Sequence, residues 1–177
     1  MVWIAILAVA LAPFLMACGG SDSPSGPATG TLAVEMKDAP IDEVSEINVY
    51  IVGLTVKPVD GPVDVIASEI GLVDLLELQT TTELLAVVNL EPGAYTFIQV
   101  DLDQDRSNVV EIDSGLEQPL QIPSEEIKVV GGGFEVFPGD TTRLTLDFDA
   151  NRSLLKLGNG DWLLEPLILL ENVVIEE

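Results

Sequence analysis

Short apolar runs, alternating with polar residues and broken at close intervals by Pro, Gly, Asn and Asp, mark this chain as all-β. The expected architecture is a single antiparallel β-sandwich behind an N-terminal signal segment. About nine strands can be marked between regularly spaced turns, and no long amphipathic helical stretch interrupts them. With 177 residues and 47% hydrophobic content, the chain has material for one well-filled core without covalent staples.

The strands follow in order. Thr31 to Lys37 reads as the first, stopped by Asp38-Ala39-Pro40. Ser45 to Val59 is a long β-branched strand in which Gly53 suggests a bulge, and Asp60-Gly61-Pro62 ends it. Val63 to Ala67 and Leu72 to Leu78 are shorter candidates; Thr80 to Ala86 suits either a helical turn or another strand. Pro92-Gly93 is the strongest local signal, because Pro presets φ and Gly accepts positive φ in a tight turn. The strand it launches runs from Tyr95 to Asp103, with Ile98, Val100 and Leu102 on one face and Gln99, Asp101 and Asp103 on the other.

Leu120 to Ile122, Ile127 to Val130 and Phe134 to Phe137 follow as short strands, the last two separated by Gly131-Gly132-Gly133. After the Pro138-Gly139-Asp140 turn, Arg143 to Asp149 alternates cleanly, Leu144, Leu146 and Phe148 inward. Ser153 to Leu157, a Gly158-Asn159-Gly160 turn and Trp162 to Ile175 complete the chain; Trp162 and Tyr95 are expected in the core.

Residues Val2 to Ala17 are apolar and uncharged, too short to span a bilayer and interrupted by Pro13, as suits a signal h-region. Leu15-Met16-Ala17-Cys18 resembles a bacterial lipobox. By that resemblance, signal peptidase II cuts between Ala17 and Cys18, and Cys18 carries a diacylglyceryl thioether and an amide-linked acyl chain such as palmitate. Two or three such chains anchor a protein stably, each buried CH₂ contributing about 0.8 kcal/mol. Met1-Val2-Trp3 lacks the positive charge with which such signals begin; a start codon further upstream would supply it. The alternative is an uncleaved anchor helix with a free thiol at Cys18.

Gly19, rather than aspartate, follows the cysteine. By the family rule for lipoprotein sorting, that directs the protein to the outer membrane or cell surface in an organism with two membranes. Residues 1–17 are thus expected to be a signal peptide, 18–30 a flexible Gly/Ser/Pro linker of roughly 20 Å headed by lipidated Cys18, and 31–177 an acidic sandwich domain.

The charge balance is 30 Asp plus Glu against 7 Lys plus Arg, a formal net charge of −23. Such a field repels nucleic acid and anionic lipid headgroups and attracts cations and basic proteins. Partners expected are therefore the membrane, through the lipid, and envelope proteins or cations. Histidine is absent and Cys18 is the single cysteine, which removes His-based triads, Cys-His catalysis and His-ligated metals.

Asp101, Asp103 and Asp105 stand at alternate positions, like the start of a calcium loop, but Arg106 and Ile112 occupy the places where an EF-hand needs Gly and Glu. Asp147 and Asp149, with Asn151, form a second set. If the two strands neighbour each other, calcium is the cofactor these oxygens fit; otherwise they form a solvated face paired with Arg106, Arg143 and Arg152. No cofactor is otherwise expected. Aromatic residues make up only 5% of the chain, too few for the stacking platforms of a carbohydrate-active enzyme that would use paired carboxylates. The three glycines at 131–133 lack the Lys-Ser/Thr of a phosphate cradle. The expectation is a non-enzyme with no catalytic residues.

Met36-Lys37-Asp38-Ala39-Pro40, Val73 to Leu78 (VDLLEL), Leu90 to Thr96 (LEPGAYT), Leu146 to Ser153 (LDFDANRS) and Trp162 to Leu167 (WLLEPL) occur in this order. Together they resemble the domain-of-unknown-function 4382 family of secreted prokaryotic lipoproteins. The L-x-P-G-x-Y turn is also similar to that of transthyretin-like and carboxypeptidase-regulatory-like sandwiches, so the resemblance implies an Ig-like or transthyretin-like fold. It implies no activity.

Overall fold

The computed structural model describes residues 29–38 and 44–177. Twelve strands are formed there: β1 (Gly30–Asp38), β2 (Val44–Pro58), β3 (Asp64–Asp74), β4 (Glu83–Leu90), β5 (Gly93–Glu111), β6 (Glu117–Gln121), β7 (Glu126–Lys128), β8 (Phe134–Val136), β9 (Thr141–Phe148), β10 (Leu154–Lys156), β11 (Trp162–Leu164) and β12 (Ile168–Glu176). A 3₁₀ turn, Leu75–Gln79, follows β3, and one short helix, α1 (Ala150–Ser153), follows β9. The strands make two sheets, one ordered β12-β9-β1-β4, the other β10-β11-β6-β5-β2-β3 with β7 and β8 also paired to β5. Their facing sides enclose one core, giving the sandwich expected from the alternation.

Most pairings are antiparallel, but β1 runs parallel to β9 and β11 parallel to β6. Period-two alternation says which residues face inward and nothing about strand direction. The proposed strands Val63–Ala67 and Leu72–Leu78 are one strand, β3, running into the 3₁₀ turn, where the Asp74 carboxylate accepts from the Leu76 N–H. Thr80–Ala86 resolves as a strand displaced toward its C-terminus, β4. The stretch Trp162–Ile175 is two strands, broken at Glu165-Pro166 and Leu167.

Breaks in parity are what let long strands stay amphipathic. In β2 the core takes Ile47, Val49 and Ile51, then Leu54 and Val56, a change from odd to even positions. The register shift between Ile51 and Gly53 makes that change, as the glycine suggested. A larger irregularity lies in β5: Asp103 opposes Tyr50 but Asn108 opposes Asn48, so residues 104–107 bulge from the ladder. Consequently Ile98, Val100 and Leu102 point into the core on even positions and Val109 on an odd one. Ser107 anchors the bulge by accepting from the Tyr50 N–H (2.9 Å) and donating to the Asp103 carbonyl (2.6 Å).

Pairing of β2 with β5 brings Pro58 opposite Tyr95, so the β2–β3 turn lies beside the β4–β5 turn at one end of the sandwich. The Val59 N–H donates to the Ala94 carbonyl at 2.9 Å and locks the two turns together. Thr29 is held at the same end, its carbonyl accepting from the Gly139 N–H at 3.0 Å.

Candidate functional site

The two aspartate sets do not meet. Asp101, Asp103 and Asp105 belong to β5 in the larger sheet, whereas Asp147 ends β9 in the smaller one and Asp149 lies just beyond it. β5 pairs with β2, β6, β7 and β8, and β9 with β1 and β12, so the neighbouring strands that a shared calcium site required are not there. Among the described residues, no group of three or more Asp, Glu or Cys side chains is placed to hold a metal ion.

Each aspartate has a local occupation instead. Asp101 accepts from the Thr55 hydroxyl at 3.2 Å and the Gln99 amide at 2.7 Å. Asp103 accepts from Arg106 Nε at 2.6 Å, and that guanidinium holds its carboxyl below the usual range. Asp105 is exposed on the bulge. Asp149 caps α1, accepting from the Arg152 N–H at 3.1 Å, with the Arg152 guanidinium 3.6 Å away. Asp147 lies opposite Lys37 in the β1–β9 register, but Lys37 pairs with Glu171 at 2.7 Å and one Asp147 oxygen is buried without a hydrogen bond. Burial pushes the Asp147 carboxyl up, with Lys37 opposing and Glu171 and Asp149 adding to the rise.

Arginine pairing with these acids holds for Arg106 and Arg152; Arg143 instead bridges Glu35 on β1 and Glu176 on β12. Arg106 does more than pair. Its guanidinium carbon lies 3.6 Å from the Tyr50 ring centroid and its Nη1 is 3.2 Å from Glu69, which also accepts from the Tyr50 hydroxyl at 3.1 Å. Glu69 has φ 51°, a left-handed backbone that glutamate rarely takes, and the closed network holds it there. This cluster braces the β5 bulge against β3. A second brace joins β10, β11 and the end of β5: Glu111 accepts from Lys156 Nζ at 2.8 Å and Trp162 Nε1 at 3.2 Å. Trp162 is buried, as expected of a core residue.

A concave feature lies elsewhere among the described residues. A cleft of about 810 Å³ opens between the β2–β3 and β4–β5 turns, at the end where Thr29 is held. Pro58, Leu90, Pro92 and the Tyr95 ring supply its apolar surface, and Asp60, Asp64 and Glu91 its charge. Tyr95 is fixed from behind by stacking on Phe134 (centroids 4.9 Å apart) and by donating to the Glu91 carbonyl at 2.8 Å. Burial pushes its hydroxyl pKa up, and the charges of Glu91 and Asp64 push the same way. In the sequence Pro58 reads only as part of a strand and Pro92 only as a turn former; the β2–β5 register that sets the two turns side by side has no local signature.

Ala17 and Cys18, the expected cleavage and lipidation site, lie outside the described residues, as does the Ala39-Pro40 strand stop. A family model described as Domain of unknown function (DUF4382) matches residues 29–166. No curated protein and no solved structure matches the chain.

Proposed function

The chain belongs to the DUF4382 family, and on that premise we propose that it is a lipid-anchored, exported protein of the cell envelope whose β-sandwich is a non-catalytic binding, adhesion or assembly module. The observation that carries this reading is Leu15-Met16-Ala17-Cys18 followed at once by a Gly/Ser/Pro linker that leads to the sandwich at Thr29. A lipid at Cys18 and a linker of roughly 20 Å would hold the domain clear of the headgroups while leaving it free to reorient. Gly19 favours the outer membrane or cell surface as destination.

The non-catalytic part of the reading is supported by the side chains themselves. Histidine is absent, and the carboxylates of Asp103, Glu111 and Asp149 are engaged in braces and a cap rather than lining the cleft. Replacing Cys18 by Ala in the native host tests the anchor. The variant is expected in soluble envelope or secreted fractions while the unaltered protein stays with membranes; a variant that still sediments with membranes overturns the lipid anchor.

A further inference from the structure

We propose that the cleft between the β2–β3 and β4–β5 turns is a docking site for a basic peptide segment of a partner protein, its lysines or arginines meeting Asp60, Asp64 and Glu91 and its apolar side chains meeting Pro58, Pro92 and Tyr95. This deepens the binding-module reading and rests on it.

Three observations carry the assignment. First, the cleft's charge is unspent. Among the described residues, the ion pairs engage Glu35, Glu69, Asp103, Glu111, Asp149, Glu171 and Glu176, and no Lys or Arg stands within pairing distance of Asp60, Asp64 or Glu91. Lys57, the nearest cation in sequence, turns its Nζ to the Pro58 carbonyl (3.0 Å) and the Gly61 carbonyl instead. Three carboxylates therefore face solvent around an apolar floor with nothing to neutralise them.

Second, those carboxylates do not converge as a metal site, since no three acidic side chains among the described residues are placed to hold an ion. A ligand that satisfies them must carry its positive charges apart from one another, as a peptide does. Third, the cleft is open. Val59 and Val63 on its rim are 56% and 53% exposed. Exposed valines beside free carboxylates match the mixed apolar and charged surface of a protein interface. The net charge of −23 adds long-range attraction for a basic partner, strongest at low salt.

The test uses the full chain with Cys18→Ala, kept soluble, and a fluorescent ten-residue peptide alternating lysine and leucine, with a glutamate–leucine peptide as control. Binding of the lysine peptide is expected in the micromolar range at about 50 mM NaCl, weakening as salt rises. Asp60→Asn/Asp64→Asn/Glu91→Gln is expected to weaken it at least tenfold. The charge-matched variant Glu46→Gln/Glu83→Gln/Glu126→Gln, placed away from the cleft, should stay within twofold. Hydrogen exchange on the unaltered domain supplies a readout that does not depend on the variants folding: added peptide should protect residues 58–64 and 89–95. Equal loss in both triple variants, protection elsewhere, or no binding overturns the cleft as the site. The anchor is untouched by any of these results, because the Cys18→Ala fractionation reports on it alone.

Discussion

Asp147 is the residue at which charge and fold disagree. Its alternate position on β9 was legible, but not that Lys37 across the register would turn to Glu171 and leave one of its oxygens buried without a partner. A carboxyl whose folded pKa is raised stabilises the fold below its ordinary range, and that contribution is lost as pH rises through the raised value. At neutral pH the ionised Asp147 is therefore a net cost. Asp147→Asn should raise stability by up to about 1 kcal/mol at pH 7, after allowing for solvent screening. The gain should fade as pH drops below the carboxylate range; thermal melts at pH 7 and pH 3.5 check it, and a variant less stable at pH 7 contradicts it. Asp103 has the opposite sign. Arg106 holds its carboxyl low, so its contribution is present above the ordinary range and is lost as pH falls.

Strands, by contrast, were largely legible because each needs only an alternating face and a turn at its end. Leu144, Leu146 and Phe148 lie in the core as their spacing required, and Pro92-Gly93 makes the turn before β5, with Gly93 at φ 148°. What could not be read was where alternation changes phase without a marker. Gly53 gave such a marker in β2, whereas the bulge at residues 104–107 of β5 carries only polar residues and ended the expected strand too early. Gly53 also permits close approach: a Cβ there would lie 2.7 Å from the Ala67 carbonyl oxygen on β3. Gly53→Ala should cost about 1–3 kcal/mol in denaturant unfolding, through displacement of β3. An unchanged midpoint would mean that β3 yields freely at this point.

At the scale of the whole molecule, Thr29 lies at the edge of the acidic cleft. The described domain begins beside the acidic cleft, so the face that we assign to binding lies at the end from which the linker departs. Two sheets and one core followed from composition and periodicity, but the strand order did not, since β1 pairs with β9 across more than a hundred residues of intervening chain. For the same reason the cleft proposed for binding has no signature along the chain. Aspartates repeated along one strand are visible in a sequence, whereas Asp64 becomes a neighbour of Tyr95 only once β2 and β5 have paired.

The direct test of a tethered module is the mass of its N-terminal tryptic peptide, taken from protein extracted with detergent from host membranes. A lipid anchor predicts a peptide running from Cys18 to Lys37, bearing a diacylglyceryl group on sulfur and an acyl chain on the α-amine. A peptide that extends through Ala17 toward Met1, or a Cys18 with a free thiol, would contradict it.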